Sequence, residues 1–115
     1  MKDLIFIPCF TEMRAVLINE IVRLETTGNY TVIYLRDRSS LVWNKSMDRS
    51  LKLLNSENLF RVHKSHAVNL LDIKKYIKGR GGEIIMRDGT TINVAQRKKT
   101  AFVTTLKEIH TYRQF

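Results

Sequence analysis

The sequence predicts a mainly β domain of antiparallel strands with two short helices, and three observations carry that prediction. Stretches rich in β-branched and aromatic residues recur along the chain, as in Ile21 to Thr26, Tyr30 to Leu35 and Leu41 to Trp43; such side chains fit the pleated, half-buried surface of a sheet. Turn residues separate them at intervals too short for a helical crossover, so the strands follow one another as a meander and not as βαβ units. Helical periodicity appears twice only: Met47, Leu51 and Leu54 fall at i, i+4 and i+7, and Phe102, Leu106 and Ile109 repeat the spacing, the apolar stripe of a helix lying on a core.

In chain order, Leu4 to Ile7 and Arg14 to Leu17 are the first two strands, and Pro8, which has no N–H to donate, confines the first to an edge or a strand end. Thr27-Gly28-Asn29 supplies residues that tolerate positive φ between the next two strands, and Asp37 to Ser39 turns the chain into Leu41-Val42-Trp43. Ser46 is the N-cap of a helix over residues 46–55 that ends near Asn55. Lys75 to Lys78, Glu83 to Arg87 and Thr91 to Val94 are three further strands, with Asp88-Gly89 as the hairpin signal between the last two; a final helix spans residues 97–109. The run Phe60-Arg61-Val62-His63-Lys64-Ser65-His66-Ala67-Val68-Asn69 breaks strand alternation and reads as an ordered loop or a short helical turn.

With 115 residues, 43% hydrophobic and 27% charged, residues 1–115 form one folded domain with a core of its own. The departure from the ordinary is the net charge of +9, which favours polyanionic partners, nucleic acid first. It is unevenly placed: residues 1–57 hold eight basic and seven acidic side chains, residues 58–115 twelve and four. A single cysteine, Cys9, excludes an intrachain disulfide and a thiolate zinc cluster and fits a reducing cytoplasm. No apolar run approaches the ~20 residues of a membrane span.

Four groups of residues can carry chemistry. Arg97, Lys98 and Lys99 lie in the first turn of the last helix, where each cation costs about 0.3–1 kcal/mol against the helix dipole unless an anion docks. A phosphate would reverse that sign, because free backbone N–H groups and basic side chains then converge on it; a merely solvated basic turn is the alternative. His63 and His66 lie three apart but lack a neighbouring carboxylate or thiolate, so no metal is expected, and His63 reads as a hydrogen-bonded structural histidine. Ser65 beside His66 lacks an acidic third member and an oxyanion loop, so neither an enzyme nor a cofactor is expected. At the tip of the first hairpin, Asn29 either supplies left-handed backbone geometry or pairs with adenine. Lys74, Lys75, Lys78 and Arg80 form a further basic stretch, near phosphate or simply solvated.

The run Phe60 to Asn69 resembles the signature of the LytTR family of bacterial DNA-binding domains, the output halves of response regulators. Other segments fall in the family's order over residues 4–109: Glu20 to Glu25 with Gly28-Asn29-Tyr30 as its opening hairpin, Ser46 to Leu54 as its short helix, Asp88-Gly89 with Ile92 to Arg97 as its closing hairpin and helix start. The resemblance implies an elongated, mainly antiparallel β fold that presents loops to successive major grooves of double-stranded DNA. It places base-reading roles on Asn29, Lys64 and Arg97, and phosphate contacts on Ser65, Lys98, Lys99, Lys45 and Tyr30. Where the family often has Ser-Arg-Arg, this chain has Ala95-Gln96-Arg97, so one hydroxyl and one guanidinium are missing. His66 stands where the family often has an aromatic, as packing. The resemblance further implies paired DNA repeats, a homodimer on DNA, and a role in two-component transcription regulation. A receiver domain does not fit beside this fold, so the chain is expected to be a free-standing regulator or part of a longer one. The alternative is a basic module that binds RNA or protein without reading DNA sequence.

Overall fold

A computed structural model describes residues 3–79 and 81–111, the last two by backbone alone; Arg80 of the basic stretch lies outside the described residues. Among the described residues, ten strands form three antiparallel sheets. β1 (Leu4–Pro8) pairs with β2 (Met13–Leu17). The central sheet has the order β5 (Ser40–Trp43), β4 (Tyr30–Leu35), β3 (Ile21–Thr27), β7 (His66–Asn69), β6 (Leu59–His63). β8 (Ile73–Ile77), β9 (Glu83–Met86) and β10 (Thr91–Asn93) form the third sheet in the order β10-β9-β8. Helix α1 spans Met47–Leu54 and helix α2 Lys99–Thr111, and the body measures 43 × 34 × 24 Å.

The part of the central sheet formed by β3, β7 and β6 is buried on both faces. Leu24, Ile33, Leu41, Trp43 and Ala67 pack with Ile7 and Val16 of the first hairpin and Met47 and Leu54 of α1. On the other side Val22, Val62 and Val68 meet Ile84, Met86 and Ile92 of the third sheet and Phe102 of α2. Phe102 is fully buried, with edge-on ring contacts to Phe60 at 5.8 Å and Tyr76 at 5.2 Å, in the geometry aromatic quadrupoles prefer. Ile21 and Leu24 reach the same core although they lie three apart, because a bulge between Ile21 and Arg23 resets the alternation.

That two-sided burial corrects the reading of Phe60 to Asn69. The segment is a β-hairpin, β6–β7, neither an irregular loop nor a helical turn. β7 lies between β3 and β6, so Ala67 faces one core and Val68 the other and polar alternation vanishes; a bulge between Arg61 and His63 shifts the phase again. Elsewhere the expected elements form within a few residues. Ser46 caps α1 by accepting from the Arg49 N–H at 3.1 Å, and Asn55 ends it in the left-handed conformation at φ +47°. The last helix opens with a 3-10 turn, Gln96–Lys98, before α2.

Two hairpin loops share one backbone plan with different residues at the strained position. Between β9 and β10, Gly89 (φ +92°) donates its N–H to Met86 O, and Met86 N–H donates to Thr90 O. Between β4 and β5 the same pair of bonds joins Arg38 to Leu35 and Leu35 to Ser39, but Arg38 sits at φ +73°. A side chain there costs about 1–2 kcal/mol, partly offset by the greater unfolded freedom of glycine. Arg38→Gly is therefore expected to raise the unfolding free energy by about 0.5–1 kcal/mol, read as a higher urea midpoint at unchanged slope.

Candidate nucleic-acid interface

One end of the central sheet gathers most of the residues singled out by the sequence. β3 and β4 close with Thr27 opposite Tyr30, so Gly28 and Asn29 are the two loop residues. Gly28 takes positive φ (+59°), whereas among the described residues the non-glycines that do so are Arg38 and Asn55. Asn29 is thus not there to supply left-handed geometry; it is exposed, and its amide bonds to no described residue. Tyr30 beside it is half exposed. The buried Thr31 hydroxyl donates to Lys45 O at 2.7 Å, and Lys45 N–H to Trp43 O at 2.8 Å, which fixes the Lys45 backbone beside the tip.

The β6–β7 turn, Lys64-Ser65, stands at the same end. Thr26 N–H, next to the tip, donates to Ser65 O at 2.9 Å. Inside the turn Ser65 N–H donates to His63 Nδ1 at 3.1 Å, which gives His63 the structural role expected of it and puts its own proton on Nε2 when neutral. Arg61 closes the arrangement. One of its guanidinium nitrogens donates to Lys64 O at 2.6 Å, and another pairs with Asp48 in the first turn of α1. The sequence reading quoted Arg61 without giving it a task. Its signal in the sequence is only a long cation three residues before Lys64, and the approach of α1 reveals the partner.

The third segment arrives through the backbone: Ala95 N–H donates to Val62 O at 2.8 Å, so the turn that carries Arg97 lies against β6. Arg97 is exposed and its guanidinium bonds to no described residue. Lys98 is half-buried. Lys99 is engaged within the chain: its ammonium donates to Gln96 Oε1 at 3.0 Å, and its stem crosses Gly82, where an added Cβ would meet Lys99 Cε at 2.8 Å and Tyr76 Oη at 2.9 Å. Glycine at 82 therefore makes the space in which this lysine lies. Lys74 and Lys75 are exposed on β8, an edge strand of its sheet, where lysines also block edge-to-edge pairing, and Lys78 is exposed just beyond its end.

His66 pairs with Glu25 across β3–β7 and packs its ring 5.6 Å from that of His63. Burial is the main cause holding its imidazole below the usual histidine value; the Glu25 carboxylate opposes it, and His63 and Arg23 reinforce it. Because the folded state disfavours its charge, stability is complete above the unfolded value near 6.5 and is lost as pH falls through the lower folded value. The wild-type melting temperature should therefore drop as pH falls below the unfolded value near 6.5, and His66→Phe, which cannot be protonated, should flatten that drop.

The fold and this end of the sheet define a small β domain that offers exposed amide and basic side chains from adjacent loops to a polyanion. The family described as the LytTr DNA-binding domain matches residues 11–107, and the chain belongs to it. Among solved structures, the chain is similar to the LytTr DNA-binding domain of a protein from Bacillus cereus described as a methyl-accepting/DNA response regulator. The two share 19% identity with a TM-score of 0.79, over 92% of this chain and 98% of the other, a likeness of fold. No curated protein matches the chain. Among the described residues no helix is long and apolar enough to cross a membrane.

Proposed function

We propose that this DNA-binding domain recognises double-stranded DNA by sequence and acts in bacterial transcription regulation, as a cytoplasmic response-regulator output domain or a free-standing regulator. One observation carries the reading: three exposed polar side chains, Asn29, Lys64 and Arg97, stand on loops tied together by the Thr26–Ser65 and Ala95–Val62 backbone bonds. Loops held in this way can enter neighbouring grooves as a unit. Asn29 would pair with adenine, Arg97 bidentately with guanine O6 and N7, and Lys64 would donate less directionally. Tyr30, Lys45, Ser65, Lys98 and Lys99 would hold phosphates and set the register. The two halves of the chain divide the work: the near-neutral first half provides mainly scaffold, with Asn29, Tyr30 and Lys45, and the basic second half provides most of the electrostatic clamp. Two copies on paired repeats complete the reading.

Selection of bound duplexes from random DNA, followed by titration of the selected duplex, its single strands and a structured RNA over a range of salt, tests it. The selected duplex should bind tightest at every salt; RNA winning throughout overturns the proposal. Lys98→Ala should weaken all duplexes alike and reduce the slope of log K against log salt by roughly 1, the effect of one lost phosphate contact.

A further inference from the structure

The first hairpin presents an apolar face that no described residue covers. β1 and β2 alternate cleanly: Ile7 and Val16 are buried beneath the hairpin, and the opposite face shows the cross-strand pairs Leu4–Leu17, Phe6–Ala15 and Pro8–Met13, all exposed. Phe6 is 57% exposed, Met13 66%, and Phe10 at the hairpin tip is fully exposed. The two phenylalanines alone leave on the order of 300 Å² of apolar surface in water, taking about 200 Å² for each ring residue. With Leu4, Leu17 and Met13 added, the patch reaches several hundred Å², at or above the largest patch of an ordinary monomer (roughly 300–600 Å²). It also approaches the ~800 Å² that each partner gives to a standard interface.

We infer that this face is a self-association surface, on which a second copy of the chain seats its own β1–β2 hairpin about a two-fold axis near the Phe6–Ala15 pair. Three observations select a second copy as the occupant. The face is self-complementary in kind, six apolar residues in three cross-strand pairs without a charge among them, as an isologous interface requires. The hairpin belongs to the nearly neutral residues 1–57, so two chains of +9 meet through their least charged halves and keep the basic halves apart. Arg14 of β2 bonds Ser39 and pairs with Asp37 in the β4–β5 loop, at the opposite end of the central sheet from Gly28 and Asn29. Pairing here leaves the candidate nucleic-acid end of both copies open.

The inference deepens the paired-copy part of the proposed function, but it is tested without DNA, so neither result decides the other. Sedimentation equilibrium of the protein alone should show a concentration-dependent dimer. The double substitution Phe6→Glu with Met13→Glu should weaken association at least tenfold while circular dichroism and affinity for a duplex carrying a single repeat stay those of the wild type; both side chains are exposed, so the fold does not depend on them. Ala15→Cys combined with Cys9→Ser should form an intermolecular disulfide on mild oxidation, since a residue near the axis faces its own copy. A wild-type protein that remains monomeric, a charge-substituted protein that still dimerises, or an Ala15→Cys protein that does not cross-link overturns the inference.

Discussion

Arg97→Ala is expected to lower affinity for the selected duplex by about 1–3 kcal/mol, roughly 5- to 150-fold, and to flatten the preference at one base pair. Affinity for random duplex should fall far less, because a base reader contributes little where its base is absent. The same substitution should leave thermal stability unchanged or slightly raised, since Arg97 is exposed and bonds to no described residue while its charge opposes the dipole of α2. Arg97→Lys should restore the non-specific part of binding but not the base preference, as an ammonium lacks the planar fork of a guanidinium. A specific-to-random ratio that does not change in Arg97→Ala removes Arg97 from the set of readers.

Asn69→Ala should behave in the opposite way, with a loss of about 2–3 kcal/mol of folding stability and a base preference that does not change in the protein that remains folded. Asn69 is 1% exposed, and its amide does two jobs at once. Nδ2 donates to Ile21 O at 2.8 Å, and Oδ1 accepts from Leu71 N–H at 2.9 Å, so one side chain ties the end of β7 to the start of β3 and begins the turn into β8. Alanine leaves the Ile21 carbonyl without this donor in the protein interior, a penalty not regained by packing. Asn69→Asp should cost more, because it keeps the acceptor for Leu71 but removes the donor and buries a carboxylate. Urea unfolding of the three proteins gives the order directly.

Asn69 and Arg97 also mark how far the residues alone could be followed. Both lie in or beside segments that stood out by composition, yet one is a buried strut and the other an exposed candidate reader. Periodicity and turn chemistry were enough for the elements whose two faces meet different media. Met47, Leu51 and Leu54 under Ser46 carry that contrast in their order. β7 does not, because sheets on both sides erase it, and so the signature hairpin read as a loop. The bulges in β3 and between β6 and β7 shift the phase at the places where a simple alternation would be extrapolated.

By itself, then, the sequence determined the mainly antiparallel architecture, both helices and their stripes, the concentration of positive charge in residues 58–115, and the three loop segments that stand out chemically. Those are properties of side-chain period, turn geometry and charge count, which are read along the chain without knowing what packs against it. Tertiary structure decided the rest. It took the left-handed position away from Asn29 and gave it to Gly28, brought Asp48 of α1 to Arg61 so that the Lys64 carbonyl is held, laid Lys99 across Gly82, and left one face of the first hairpin bare. Each of these depends on which residues from distant parts of the chain arrive at the same point, and burial and hydrogen bonding act on that meeting, not on the order of residues along the backbone.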